Sequence, residues 1–298
     1  MPLLTGQTLV ASISRTYHIY IPDNPPQATV PAIIVFHGGG QDALHLASHW
    51  GIGAGSPPPP LDGYLLIFPE ADPRLSEEWV HFNKGDSAFP TYDLLFVDHL
   101  LTEITAAVYA TGAAVPNVTV DPALIYAAGF SNGGGMVWQL MNSDHVSRFR
   151  GFAVVGKALD PEKAIHYRHE RAALGDVPGP VPVIYVHGTG DYGFRSPMTL
   201  LEVPLDTTLP ANTVEEMLTR NVVPPHTPSA TTLVPGSTNR TEVVVQLFQG
   251  TEAFEYVTVV GGGHNWPTPT TGSNPPVAKH FDATQTIVEF WRSNAGLP

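Results

Sequence analysis

"YAAGFSNGGGM", Tyr126 to Met136, is the stretch that decides how this chain is read. A short apolar run ends in a serine that has a glycine two residues before it and another two residues after it. A surface loop would account for the composition. A nucleophile on a strained strand-to-helix turn would account for the spacing as well. At such a turn the backbone two residues to either side of the serine passes so close that a Cβ would clash, which favours Gly129 and Gly133. The turn aims Oγ of Ser131 outward and points the N–H of Asn132 at an oxyanion forming in front of it. "MVWQLM", which follows, reads as a helix whose positive end would lie at the same place.

The run before Ser131 is one of a series. "RTYHIYI" (Arg15 to Ile21) alternates and reads as a strand. "AIIVF" (Ala32 to Phe36), "YLLIF" (Tyr64 to Phe68), "LIYAAGF" (Leu124 to Phe130), "GFAVV" (Gly151 to Val155), "VPVIYV" (Val181 to Val186) and "YVTVV" (Tyr256 to Val260) are short and apolar on both faces. A parallel sheet covered by helices requires such strands. Between them, Leu94, Val97, Leu101, Ile104 and Val108 form one helical stripe, with Asp93, Asp98 and Glu103 off it. A last helix is expected to start near Asp282, with Gln285 as a capping-box-like partner, and to run through Ile287 and Trp291. The pattern predicts an α/β fold with a mostly parallel central sheet flanked by helices.

Sites in such sheets lie beyond the carboxyl ends of the strands. There the sequence places "HGGGQ" after Phe36, Ser131 after Phe130, "HGTGD" after Val186 and "GGGHNWP" after Val260. Ser131, Asp191 and His264 thus follow three strand ends in the order serine, acid, histidine, the order of α/β-hydrolases. Ser131 is the expected nucleophile, His264 the general base, and Asp191 the acid that holds the imidazole. Asp160, also beyond a strand, is the alternative acid; Glu70 and Asp72 come too early in the order. The glycines of "HGGGQ" suit it to give a second oxyanion donor beside Asn132, from the N–H of Gly39 or Gly40. His37 is expected to serve the backbone and not the chemistry. Trp266 is expected either to wall an acyl site or to anchor its loop, and Trp79 invites the same reading.

Composition narrows the rest. A net charge of −13 with only four lysines argues against nucleic acid, anionic membranes and polyanionic substrates. The absence of cysteine excludes disulfides, thiolate metal sites and cysteine nucleophiles. No apolar run approaches the length of a membrane span, and the first residues do not read as a signal peptide. "HLASH" (His45, His49) and "HYRH" (His166, His169) have helical spacing but no HExxH glutamate, so neither a metal nor any other cofactor is expected. Asn117 and Asn239 head glycosylation sequons. Residues 1–298 read as a single domain, "GSPPPP" (Gly55 to Pro60) as a stiff loop, and 192–255 as a loop-rich segment shaping the pocket rim.

"IIVFHGGGQ", "VDPALIYAAGFSNGGGM", "VIYVHGTGD" and "GGGHNWP", with "FDATQTIVEFW" near the end, together resemble the polyhydroxybutyrate depolymerase-like and feruloyl esterase-like α/β-hydrolases. The resemblance spans roughly Tyr17 to Trp291 and implies the α/β-hydrolase fold. It implies Ser131, Asp191 and His264 as the triad, an oxyanion hole from Asn132 and the "HGGG" loop, and Trp266 near the acyl site. Members are mostly secreted, so an extracellular protein that has lost its leader is expected. The expected function is a serine carboxylesterase that forms an acyl-enzyme on polyester or oligoester bonds of the polyhydroxyalkanoate type. A feruloyl esterase is the alternative. An acyltransferase, a peptidase or a non-catalytic binding protein on the same fold stand further off.

Overall fold

The structure is a computed structural model; it describes residues 3–22, 29–52, 61, 63–72, 74, 79, 90–106, 118–159, 179–191, 209–222, 226–234, 242–269 and 281–298. In chain order its elements are β1 (Leu4–Val10), β2 (Ile13–Tyr20), β3 (Thr29–Phe36), α1 (Ala43–His49), β4 (Leu65–Pro69), α2 (Pro90–Thr105), β5 (Thr119–Phe130), α3 (Asn132–Met141), β6 (Gly151–Val155), β7 (Val183–Gly188), α4 (Leu209–Asn221), β8 (Ala230–Val234), β9 (Glu242–Phe248), β10 (Phe254–Val260) and α5 (Ala283–Asn294). One sheet holds all ten strands in the order β1-β2-β4-β3-β5-β6-β7-β10-β9-β8. The strands from β4 to β10 in that order pair in parallel. Antiparallel partners flank them at both edges.

Two-sided apolarity is what places these strands at the centre. Along β3, Ile34 and Phe36 join one core while Ile33 and Val35 join the other; along β5, Ala127 and Ala128 divide in the same way. The first core is closed by side chains of α2, α3 and α4, among them Phe96, Met136 and Met217. The second is closed by α1 and α5 through Leu46, Ile287 and Trp291. Each face of a parallel sheet must be covered in this way, because neither can face water. No described helix is long and apolar enough to cross a membrane.

Caps follow the sequence closely. Asp42 accepts from the His45 N–H at the start of α1 (2.6 Å), and Asp282 accepts from the Gln285 N–H at the start of α5 (3.1 Å). The reciprocal half of the expected box is not made: the Gln285 amide turns outward to Glu289 (2.7 Å). On α2 the apolar stripe is buried as expected at Val97, Leu101 and Ile104, whereas Val108 lies outside the described residues. Asp93 departs from expectation. It is buried, 2.7 Å from the equally buried guanidinium of Arg15, which also lies over the Phe96 ring. Two opposite charges buried together neutralise each other, so a carboxylate can sit inside an apolar face.

The segment 192–255 is more regular than its proline and threonine content suggested. Among its described residues it carries α4, β8 and β9 and the start of β10. β8 and β9 form an antiparallel hairpin-like pair at one sheet edge, a location in which polar outward residues such as Thr231 and Thr232 are tolerated.

Candidate active site

The geometry starts at the end of β5. Ser131 has φ 51° and ψ −116°, a conformation outside the regions an L-residue ordinarily adopts. It stands at the N-cap of α3, yet its side chain makes no capping bond, so Oγ is left to point elsewhere. The turn needs its glycines for space. A Cβ on Gly129 would lie 2.3 Å from the carbonyl oxygen of Gly133, and one on Gly133 would lie 2.1 Å from that of Phe36. The Ser131 N–H is bonded to the Val155 carbonyl at the end of β6 (2.9 Å), and the Gly135 N–H to the Ser131 carbonyl (3.1 Å).

Oγ of Ser131 lies 2.7 Å from Nε2 of His264, and Nδ1 of His264 lies 2.7 Å from Oδ1 of Asp191. With the carboxylate as an obligatory acceptor, Nδ1 carries the proton and Nε2 accepts from the serine hydroxyl. Asp191 is buried, while the imidazole is partly exposed. Phe130 packs against the His264 ring, centroid to centroid 5.0 Å, and fixes its plane from below.

The two loops that carry acid and base are joined by two backbone–backbone bonds and one to a threonine hydroxyl. Thr189 N–H donates to the Val259 carbonyl (3.0 Å), Gly190 N–H to the Gly262 carbonyl (2.7 Å), and Gly261 N–H to Oγ1 of Thr189 (2.7 Å). A Cβ on Gly188 would lie 2.3 Å from the Gly262 oxygen. "HGTGD" and "GGGH" are thus rich in glycine because two chains run past each other without room for side chains. Asp191 is the acid bonded to His264; Asp160, the alternative, lies outside the described residues.

Behind Asp191 stands His187, the penultimate residue of β7, with Nε2 3.9 Å from Oδ2 of Asp191 and Nδ1 2.8 Å from the Tyr185 hydroxyl. Burial, opposed by the neighbouring Asp191 charge, pushes its pKa down to about 4, so the ring is neutral at physiological pH. Sequence reasoning passed over His187, although "VHGTGD" placed it at a strand end beside the acid. Gly156 was missed too: it lies at the end of β6 with φ +64°, where a Cβ would come within 3.5 Å of both Asp191 and His264. The other early acids have structural partners. Glu70 accepts from the Ala43 N–H at the start of α1 (3.1 and 3.2 Å), and the Asp72 carboxyl is held below its usual range by hydrogen bonds from Arg74.

The "HGGGQ" loop leaves β3 where Phe36 pairs with Gly129, so it begins beside the elbow. His37 is buried and serves the backbone. Its Nε2 accepts from the Ala71 N–H (3.0 Å) and its Nδ1–H donates to the Gly38 carbonyl (2.8 Å). That assignment makes the ring neutral, so the Glu70 carboxylate 3.5 Å from Nε2 is a neighbour and not an ion pair. The Gly38 N–H is taken by the Gln41 side chain (3.2 Å). Gly39 and Gly40 are exposed, and no acceptor among the described residues takes their N–H groups.

Of the two readings given to Trp266 and Trp79, wall or anchor, the contacts of both fit the second. Trp266 is 2% exposed; its Nε1–H donates to Oγ1 of Thr284 (3.1 Å) and its ring packs against Trp50. Of the two roles considered for it, loop anchor is the one these contacts serve. Trp79 is wholly buried and stands edge-on to Phe36, with its Nε1–H on the His37 carbonyl (3.0 Å). An indole with its face in the core and its N–H on a backbone carbonyl presents no wall to a ligand. Among the described residues no group of three or more metal-ligating side chains is gathered. His45 and His49 stack edge to face at 5.0 Å, and burial followed by the neighbouring His45 pushes His49 down to about 4. His166, His169, Asn117 and Asn239 lie outside the described residues.

No protein-family model matches the chain. The chain is 26% identical to "Putative esterase NocK" of Nocardia uniformis subsp. tsuyamanensis over 311 residues, which is 95% of this chain and 81% of that protein. Among solved structures, the acetyl xylan esterase from Aspergillus awamori superposes with a TM-score of 0.54 at 15% identity, covering 87% of this chain and 93% of that one. The thermophilic esterase Est2 of Thermogutta terrifontis superposes with a TM-score of 0.52 at 17% identity, covering 97% and 94%. The fold is that of the α/β-hydrolases.

Proposed function

We propose that this α/β-hydrolase is a serine carboxylesterase in which Ser131, His264 and Asp191 do the chemistry, and that its substrates are short polyesters or oligoesters of hydroxyalkanoate type. The observation that carries the chemistry is the unbroken chain Ser131–His264–Asp191 at 2.7 and 2.7 Å, mounted on a serine whose backbone is strained outward. Nε2 of His264 takes the Ser131 proton as Oγ attacks the ester carbonyl. Asp191 accepts from Nδ1 and stabilises the imidazolium that forms. The oxyanion is received by the Asn132 N–H at the positive end of α3 and by an N–H of the Gly39–Gly40 loop. Collapse of the tetrahedral intermediate expels the alcohol, which takes the proton from Nε2. A water then enters, gives its proton to His264 and releases the acid from Ser131.

The substrate class is supported by the motif resemblance and by one contact pattern. Trp266, the ring that the resemblance implies near the acyl site, is committed to Trp50 and Thr284 and so is not offered as a wall for a hydroxycinnamate. An extracellular setting, where such polymers are met, belongs to the same proposal. The test compares kcat/KM on soluble 3-hydroxybutyrate oligomers and on methyl ferulate, with Ser131→Ala as blank. The oligomers are expected to be preferred, and the variant to lose about 10⁴-fold or more. Preference for ferulate would remove the substrate class and leave the chemistry. An unimpaired Ser131→Ala would remove both.

A further inference from the structure

Two contacts beside the nucleophile have no part in the steps above. The side chain of Asn132, the residue after Ser131, lies along the backbone of Trp79: its Oδ1 accepts from the Trp79 N–H (2.6 Å) and its Nδ2–H donates to the Trp79 carbonyl (3.3 Å). The carboxamide thus pairs with Trp79 as a neighbouring strand would. The indole of Trp79 reaches the other way. Its Nε1–H donates to the His37 carbonyl (3.0 Å), and its ring packs on Phe36 at 5.1 Å and on the His37 imidazole at 5.3 Å. Arg15, itself buried with Asp93, places its guanidinium 5.9 Å from the same ring.

We propose that Trp79 and the Asn132 carboxamide form a clasp that sets the spacing between the two halves of the oxyanion hole, which makes both of them positioning residues. The inference rests on the serine carboxylesterase reading. One half of the hole is the Asn132 N–H on the elbow; the other is the glycine loop that follows His37. They leave different strands, β5 and β3. An oxyanion is stabilised only when both donors converge on one oxygen, at about 2.7–3.1 Å. Gly39 and Gly40 are exposed and their N–H groups lack acceptors among the described residues, while the loop's own bonds fall at His37, Gly38 and Gln41. Trp79 adds a second tie to the backbone contact of Gly133 with the Phe36 and His37 carbonyls, because it is bonded at its backbone to the Asn132 side chain and at its ring to the His37 carbonyl. The clasp also accounts for asparagine at the variable position of G-x-S-x-G. An amide offers a donor and an acceptor in one plane. Alanine offers neither, and aspartate would lose the donor and set a negative charge beside the developing oxyanion.

The test uses Asn132→Ala, which keeps the backbone N–H and removes the pairing, and Trp79→Phe, which keeps a ring in the core and removes the bond to His37. Hydrolysis of p-nitrophenyl acetate and binding of phenylboronic acid are measured on each. The boronic acid takes Oγ of Ser131 into a tetrahedral adduct, with the hydroxyl proton passing to His264, and so samples the same hole. Expected are a fall in kcat of about 10- to 100-fold, since misplacement of a group by about an ångström has effects of that order, a KM within about 2-fold of wild type, and a loss of boronate affinity that tracks kcat/KM. The double variant should lose less than the product of the single losses, because both break one device. Wild-type kcat and boronate affinity in Asn132→Ala would overturn the clasp, and so would strictly multiplicative losses. If Trp79→Phe fails to fold, Asn132→Ala decides alone. An active Ser131→Ala would mark failure of the esterase reading itself; an inactive Ser131→Ala beside an unimpaired Asn132→Ala would mark failure of the clasp only.

Discussion

The acid–base half of the site and the oxyanion half are held by different means. In the first, the loops after β7 and β10 touch through their main chains, and glycine is required because nothing larger fits between Gly188 and Gly262. In the second, the elbow after β5 also presses Gly133 against the Phe36 and His37 carbonyls, and the side chains of Asn132 and Trp79 add a bridge beyond that contact. Direct backbone contact gives one spacing and tolerates no substitution. A side-chain bridge can be lengthened, shortened or removed one atom at a time. The first half has to hold the His264 imidazole in one orientation on Asp191, while the second has to bring two N–H donors from different strands onto one oxygen.

The contrast can be broken or sharpened by experiment. The largest effect is expected at Gly188→Ala, whose Cβ would stand 2.3 Å from the Gly262 oxygen. Forcing the two loops apart should abolish ester hydrolysis and lower stability by about 1–3 kcal/mol or more, as read by urea unfolding. Gly190→Ala meets the same oxygen at 3.1 Å and should fall between Gly188→Ala and wild type in both measures. Equal effects at the two positions would mean that the spacing between the loops is not what matters.

Acid should act on the same half. The pKa of His187 is lowered in the fold to about 4 from 6.5 by burial, so between those values the unfolded chain binds a proton that the folded one does not. Stability from this group is therefore full above about pH 6.5 and is lost on acidification towards pH 4, by up to about 1.4 kcal/mol per pH unit. Glu255 works in the other direction: burial raises its pKa to about 7 from 4.5, so its contribution is lost as the pH rises through that range. Urea midpoints of wild type and His187→Gln across pH 4 to 7 isolate the histidine, because Glu255 is common to both. The variant should lose part of the acid sensitivity, and parallel curves would contradict the neutral assignment.

The smallest effect is expected in the oxyanion loop. Gly40 has φ +66°, but nothing lies within 4 Å of the Cβ it would carry. Gly40→Ala should cost about 1–2 kcal/mol of backbone strain, measurable as a small drop in Tm, with no clash to add to it.

How much of this was legible in the sequence differs between the halves in the same way. Ser131, Asp191 and His264 each follow a strand that is apolar on both faces, and in chain order they announce themselves. The glycines around them are the imprint of close backbone contact, which no other residue type can satisfy. The bridge was illegible because it depends on distance in space: Asn132 and Trp79 are 53 residues apart, and Trp79 lies in a polar stretch whose periodicity gives no hint that its ring is buried. For the same reason the sequence leaves open whether Trp266 and Trp79 wall an acyl site or anchor their loops. Aromatic rings close to catalytic motifs in sequence look alike whether they face a ligand or the core. α4, β8 and β9 were hidden by proline and threonine on either side. Asp93 was hidden by its partner, since a charge on an apolar face is readable only once Arg15 is known to be beside it.

Asp191 and His264 are separated by 73 residues in the chain and by one hydrogen bond in space. The chain between them leaves the sheet at β7 and returns to the neighbouring position as β10, with α4, β8 and β9 spent on the way. The entropy of closing a flexible loop grows only with the logarithm of its length; doubling the length costs about 0.6 kcal/mol. α4 and β9 are tied to the core and to β10, so changes of length cost least in the connections between those elements, away from the hydrogen bond at the two ends. Descendants of such a chain could change which ester they accept by rewriting the excursion while the anchoring strands stay as they are.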